Sequence, residues 1–257
     1  MTEKEDLEQR MCAITISREY GSGGGEIARG LAERLNWQLF DHRIIQLVAQ
    51  RLGINEEEAE VHDERAEGFV ERLIDSMQYA LPQPPLIQGA PTLEAGRAIT
   101  DAVYQQALQQ VLVGAASLGH VVIVGRGAQI LLASRRDVLH IRIVAPFEKR
   151  VAYVMRRENL TAEAARNRIR QKEAERERAL KEQFHMNPYD AHLYDLIINT
   201  GILALTSVVE MIYLALRQKA ERLSLPEEEL GPGAGLARYP GRPADFQSPG
   251  SEAAAHP

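Results

Sequence analysis

Cysteine is all but missing: Cys12 is the single one in the chain, so an internal disulfide framework is excluded. Long apolar runs are missing too. No stretch approaches a membrane span, and the opening MTEKEDLEQR lacks the apolar centre of a signal peptide, so a cytoplasmic protein without a membrane partner is expected. Positive charge does not dominate. A formal net charge of −6 and a pI near 5.7 argue against a nucleic-acid binder, which needs an extended basic surface. The seven histidines show no metal-ligand spacing, and no protein metal site is expected. Large apolar residues thin out after Pro226, where eleven of thirty-two residues are Pro or Gly, so 226–257 is expected to be a disordered tail. What is present is enough for a core. With 45% hydrophobic residues, one domain over 12–220 is expected behind a charged N-terminal tail at 1–11.

That domain is organised around CAITISREYGSGGGEIARGLAERL at 12–35. Ala13 to Ser17 reads as a buried parallel strand because Ile14, Thr15 and Ile16 are β-branched. Ile27, Leu31 and Leu35 then recur at helical spacing. Between strand and helix lie Gly21, Ser22, Gly23, Gly24, Gly25 and Glu26, a loop whose backbone N–H groups can turn inward at the positive end of the helix. Three readings of it stay open. In the register of the P-loop GxxxxGK[ST], Arg18 takes the first glycine, Gly23 the second, Gly24 the lysine and Gly25 the hydroxyl residue. As a dinucleotide fingerprint, Gly23, Gly25 and Ala28 fit G-x-G-x-x-A, with Asp41 eighteen residues beyond Gly23. The third is a glycine turn without a ligand. The three residues between strand and glycines suit the longer phosphate loop. In that reading Arg18 is expected to replace the lysine charge, and Ser17 or Ser22 to supply a hydroxyl.

Further along, Trp37 to Phe40 reads as a second strand ending at Asp41, which is expected either to orient a magnesium ion or substrate group or to cap a helix over 42–52. Residues 55–96, with the breaker-rich PQPPLIQGAP, are expected to form a protruding insertion. A helix running to Gly114–Gly119 is followed by a buried strand, Val121 to Val124, that feeds Gly125-Arg126-Gly127. An arginine there stands where open α/β sheets bind ligands, and it can grip a phosphate bidentately. The alternative is a surface arginine in a turn. The ligand reading is preferred because Gly127 has no packing reason visible in the sequence.

A fourth strand, His140 to Val144, precedes a helix from Phe147 to Glu158. Residues 147–182 carry eleven Lys or Arg against seven Glu, so the segment is expected to be a basic flap over an anion, with most of its charges in ordinary ion pairs. Thr161 is expected to cap its second helix. Leu196 to Ile198 and a last helix around Val208, Ile212 and Leu216 complete the pattern.

On ITISREYGSGGGEIA, FDHRII, VIVGRGA, ERERA and YDLIINT, in this order, the chain resembles the cytidylate kinase-like family of P-loop nucleoside monophosphate kinases over about residues 12–215. The resemblance implies an α/β, three-layer P-loop kinase fold with a five-stranded parallel sheet, a helical monophosphate-binding insertion at 55–96 and a helical lid at 159–190. It also implies transfer of the ATP γ-phosphoryl group to CMP, dCMP or a related small acceptor with Mg²⁺. Residues 18–26 would hold the ATP phosphates, Arg126 the acceptor, and Arg176 and Arg178 the transferred group. A phosphate-binding sensor that keeps the fold without the lysine is the competing function.

Overall fold

The structure, a computed structural model, describes residues 7–41, 72–73 and 101–231. The chain divides into a unit spanning Met1–Glu221 and a second spanning Arg222–Pro257. In the first, β1 (Ala13–Arg18) is followed by α1 (Gly24–Leu35) and β2 (Gln38–Phe40). Then come α2 (Asp101–Leu118), β3 (Val121–Val124), α3 (Ala128–Leu131), β4 (Val138–Val144), α4 (Phe147–Glu158), α5 (Ala162–Phe184), β5 (Leu196–Asn199) and α6 (Leu205–Glu221). In the second unit a 3-10 turn, Glu227–Glu229, opens the segment expected to be disordered; 232–257 lie outside the described residues.

The five strands form one sheet in the order β2-β3-β1-β4-β5, every pairing parallel. β1 sits at the centre with both edges paired, so its Ala13, Ile14 and Ile16 are fully buried. Parallel strands buried on both faces need near-continuous apolar sequence, which VVIV in β3 supplies. In α1 the apolar stripe of Ile27, Leu31 and Leu35 faces the core as its 3.6 period requires. Met11, expected to close the charged tail, is instead fully buried, because its long thioether side chain packs into the core just ahead of β1.

α4 and α5 make a helical hairpin with its own apolar seam of Val151, Val154, Ala165 and Ile169, against which Tyr20 and Phe147 pack. Thr161 caps α5 as expected, its Oγ1 accepting from Ala164 N at 3.3 Å. The helix expected over 42–52 and the insertion at 55–96 fall outside the described residues apart from Arg72 and Leu73, and Leu73 is buried. The strand ends after β1, β3 and β4 thus open beneath the hairpin, which is where a parallel sheet collects functional loops.

Candidate active site

The glycine loop is anchored from below. Ser22 Oγ turns into the fold and donates to Glu19 O at 2.9 Å and Ile143 O at 3.3 Å, while Thr200 Oγ1 donates to Ser22 O at 2.8 Å. Glu19 Oε2 accepts from Ala145 N at 3.0 Å, tying the loop to the end of β4. Gly23 then caps α1 in the left-handed conformation, leaving the first N–H groups of the helix directed at the loop. Above them lies a cavity of about 200 Å³ lined by Gly21, Gly23, Gly24, Gly25 and Glu26 on one side and by Tyr153, Arg157 and Arg176 on the other.

A second cavity, of about 520 Å³, opens beside it between the strand ends and α5. Gly125, Arg126 and Gly127 form its floor at the end of β3, all three with positive φ. Arg142 of β4 enters from the other side, donating to Ser17 Oγ and Pro188 O, each at 3.3 Å, with its guanidinium 5.0 Å from the centroid of Tyr189. Arg18, Glu19 and Arg176 line both cavities. Arg176 is held there by a 3.3 Å hydrogen bond from Nη1 to Arg18 O and by stacking 5.3 Å above the Tyr20 ring.

The electrostatics of this junction are those of an anion site. Burial, and then the like charges of Arg176 and Arg126, push the Arg18 guanidinium down to about 9, with Asp41 opposing the shift. Arg176 is lowered as well, mainly by burial. Both stay charged at neutral pH, and the direction of the shifts says that the protein alone compensates them poorly. A phosphate between them would repair that deficit.

Residues 13–202 of this chain match the cytidylate kinase-like family, well over half of its length. The chain belongs to that family. Over 95 residues it is 35% identical to a cytidylate kinase of Methanopyrus kandleri, covering 34% of this chain and 49% of that one. A 91-residue stretch is 32% identical to a uronate isomerase of Corynebacterium glutamicum, covering 35% of this chain and 18% of that one. The matches therefore span about half the length of the first relative and less than a fifth of the second. Among solved structures, an uncharacterized protein from Eubacterium ventriosum superposes with a TM-score of 0.58 at 21% identity, over 81% of this chain and 99% of that one, a likeness of fold.

In the expected P-loop register Gly24 and Gly25 stand at the lysine and hydroxyl positions, and the structure reassigns several expectations around them. Ser22 is 2% exposed with its hydroxyl spent on backbone carbonyls, so it does not present that hydroxyl to a ligand; a small polar group beneath a tight loop satisfies the loop's own carbonyls first. Gly127 does have a packing reason: Phe184 lies against it, and any Cβ there would overlap that ring. Arg178 is exposed and lines neither cavity. Arg126 lines the larger cavity, and the charge of Asp41 acts on Arg18. Most of the basic hairpin is ion-paired as expected, including Arg166 with Glu148, Arg168 with Glu158 and Lys181 with Glu177. Sequence reasoning missed Arg142 and Arg150. Arg142 is a charged residue in the middle of the apolar run VLHIRIV, which is the signal that could have found it.

Proposed function

We propose that the chain is a phosphotransferase that moves the γ-phosphoryl group of ATP to a nucleoside monophosphate or a related small acceptor. The observation that carries this reading is that Arg18 and Arg176 line both cavities, the one over the glycine loop and the one at the strand ends. In the transfer, the bond from the γ-phosphorus to the ADP oxygen breaks as a bond to an acceptor phosphate oxygen forms. That oxygen is already anionic, so no general base is needed. Stabilising charge on the transferring oxygens is the main task of the protein in such reactions. In this reading Arg18 and Arg176, which line both cavities, would perform that task, and Arg126, which lines the larger one, would meet the acceptor's phosphate. Family membership favours CMP or dCMP as acceptor, and Gly127 offers no side chain to a base. Closure of α5 over both cavities would keep water from the γ-phosphate.

Magnesium would come with ATP. The loop's own donors do not fit a protein-held ion: Gly25 has no hydroxyl, that of Ser22 points inward, Glu19 is bound to Ala145 N and Arg150, and Glu26 pairs with Arg157. The same observation favours the second reading, a nucleotide or phosphate sensor without turnover. Both are separated by measuring ADP formation with Mg·ATP against all ribo- and deoxyribonucleoside monophosphates, with ATP binding followed by calorimetry. Acceptor-dependent turnover is the expected result. ATP binding with no turnover on any acceptor would favour the sensor.

A further inference from the structure

Arg18 stands at the first glycine position of the P-loop register, and its side chain does not leave the loop. It runs across Gly24, the lysine position: a Cβ built on Gly24 would lie 2.7 Å from Arg18 Cβ and 3.0 Å from Arg18 Cγ. The Cβ is fixed by the backbone and cannot swing aside, so Arg18 in this seat and any side chain at residue 24 exclude each other. At its far end the guanidinium enters the space above Gly125 at the end of β3, where a Cβ would overlap Nη1. Two positions without side chains, 101 residues apart, therefore bracket one arginine. Arg18 is the neighbour that a Cβ would meet at both, and Gly125 is in addition held in the left-handed conformation at φ 77°. The bracketed arginine lines both cavities.

We infer that the phosphate-binding cation of this loop has been transposed: Arg18 delivers from residue 18 the charge that a P-loop lysine delivers from residue 24, and Gly125 is a positioning residue that keeps open the slot in which its guanidinium rests. The inference rests on the phosphotransfer reading for the identity of the ligand, a nucleoside triphosphate. It adds a reciprocal requirement: Gly24 is needed because residue 18 carries a side chain, and a lysine at 24 should remove the need for Arg18 and for the slot its guanidinium fills.

The test is a set of exchanges read by calorimetric binding of Mg·ATP, with thermal melts to confirm folding. Arg18→Gln, which keeps most of the side chain but not its charge, should weaken binding about 10- to 100-fold, the range for losing a charged hydrogen bond to phosphate. Arg18→Gly should do the same, and the double exchange Arg18→Gly/Gly24→Lys should recover affinity to within about threefold of wild type, taking threefold as the ordinary scatter of context effects. Because Gly125 sits at φ 77°, Gly125→Ala should lower the melting temperature in both backgrounds; beyond that shared loss it should weaken ATP binding in the wild-type background and leave binding by the double exchange unchanged, a dependence that a purely structural glycine would not show. Undiminished binding by Arg18→Gln overturns the transposition, as does a double exchange that folds yet binds no better than Arg18→Gly. The underlying reading fails separately: wild type that binds ATP without turnover, with the exchange pattern intact, removes phosphotransfer and leaves the transposition standing. Wild type that turns over while Arg18→Gln binds normally does the reverse. A wild-type chain that binds neither ATP nor tripolyphosphate overturns both.

Discussion

Arg176 and Arg178 lie two positions apart on one helix, roughly 200° around its axis, so one of them must face away from whatever the other faces. Arg176 is the one stacked on Tyr20 and bonded to the loop; Arg178 is exposed. On the proposed function, Arg176→Ala should lower kcat/KM by about 100-fold or more, as loss of a transition-state charge does, whereas Arg178→Ala should stay within about twofold. Steady-state kinetics on the purified variants checks both. The pH dependence follows from Arg18. Its pKa lies below the ordinary value, at about 9, and a bound triphosphate favours the charged form and raises it. Affinity is therefore full below about pH 9 and falls as pH rises through that value. Calorimetric titrations between about pH 8 and 10, roughly one unit on either side of 9, should show that fall in wild type and a smaller one in Arg18→Gln. The thiol of Cys12, pushed up to about 11 by burial and by Asp137, stays protonated over most of this range.

At the scale of elements, a buried arginine is a main tie between the hairpin of α4 and α5 and the glycine loop. Arg150 is 6% exposed; its Nη1 donates to Glu173 Oε1 at 2.6 Å and to Tyr20 O at 3.2 Å, its Nε donates to Ala145 O at 3.0 Å, and Glu19 Oε2 lies 3.4 Å from it. Glu173 Oε1 also accepts from Tyr20 N at 3.2 Å. A single carboxylate on α5 therefore ties α4, α5 and the loop together. Glu173→Gln should cost about 1–3 kcal/mol, because it leaves a buried guanidinium with one carboxylate fewer. The loss should be local. Hydrogen exchange should rise along α5 while the amides of β1, β3 and β4 keep their protection. Much of this layer was legible beforehand: Phe147–Glu158 follows from its apolar spacing, and Thr161 from its place before a polar helical run. The role of Arg150 was not legible, since its partners come from three segments and nothing in its neighbours in sequence marks it among eleven basic residues.

For the whole molecule, the relevant balance is between a net charge of −6 and a local concentration of guanidiniums at the mouth of the sheet. Anions binding only the folded state stabilise it by mass action. Inorganic tripolyphosphate should raise the melting temperature of wild type by several degrees at concentrations well above its dissociation constant, roughly 4 °C or less per kcal/mol for a chain of this size. The rise should be distinctly smaller for Arg18→Gln, and added sodium chloride should weaken both. Equal shifts in the two proteins would remove Arg18 from the anion site.

The sequence by itself determined the five strands and the longer described helices. Those depend on local periodicity, β-branching and the glycines at a helix start, which act over a few residues whatever the rest of the chain does. It also carried the family, through motifs whose order survives without knowledge of their contacts. Tertiary structure alone decided which groups reach the site. Ser22 turned its hydroxyl down to satisfy carbonyls from two segments, and Phe184 came to rest on Gly127 from 57 residues away. The docking angle of α5 chose Arg176 over Arg178, and Arg18 found its seat between Gly24 and Gly125. Each of these includes a contact between residues distant in sequence, Ser22 with Ile143, Gly127 with Phe184, Arg176 with Arg18 and Arg18 with Gly125, fixed by how helices pack on the sheet and where buried charge finds partners, and no local propensity encodes it.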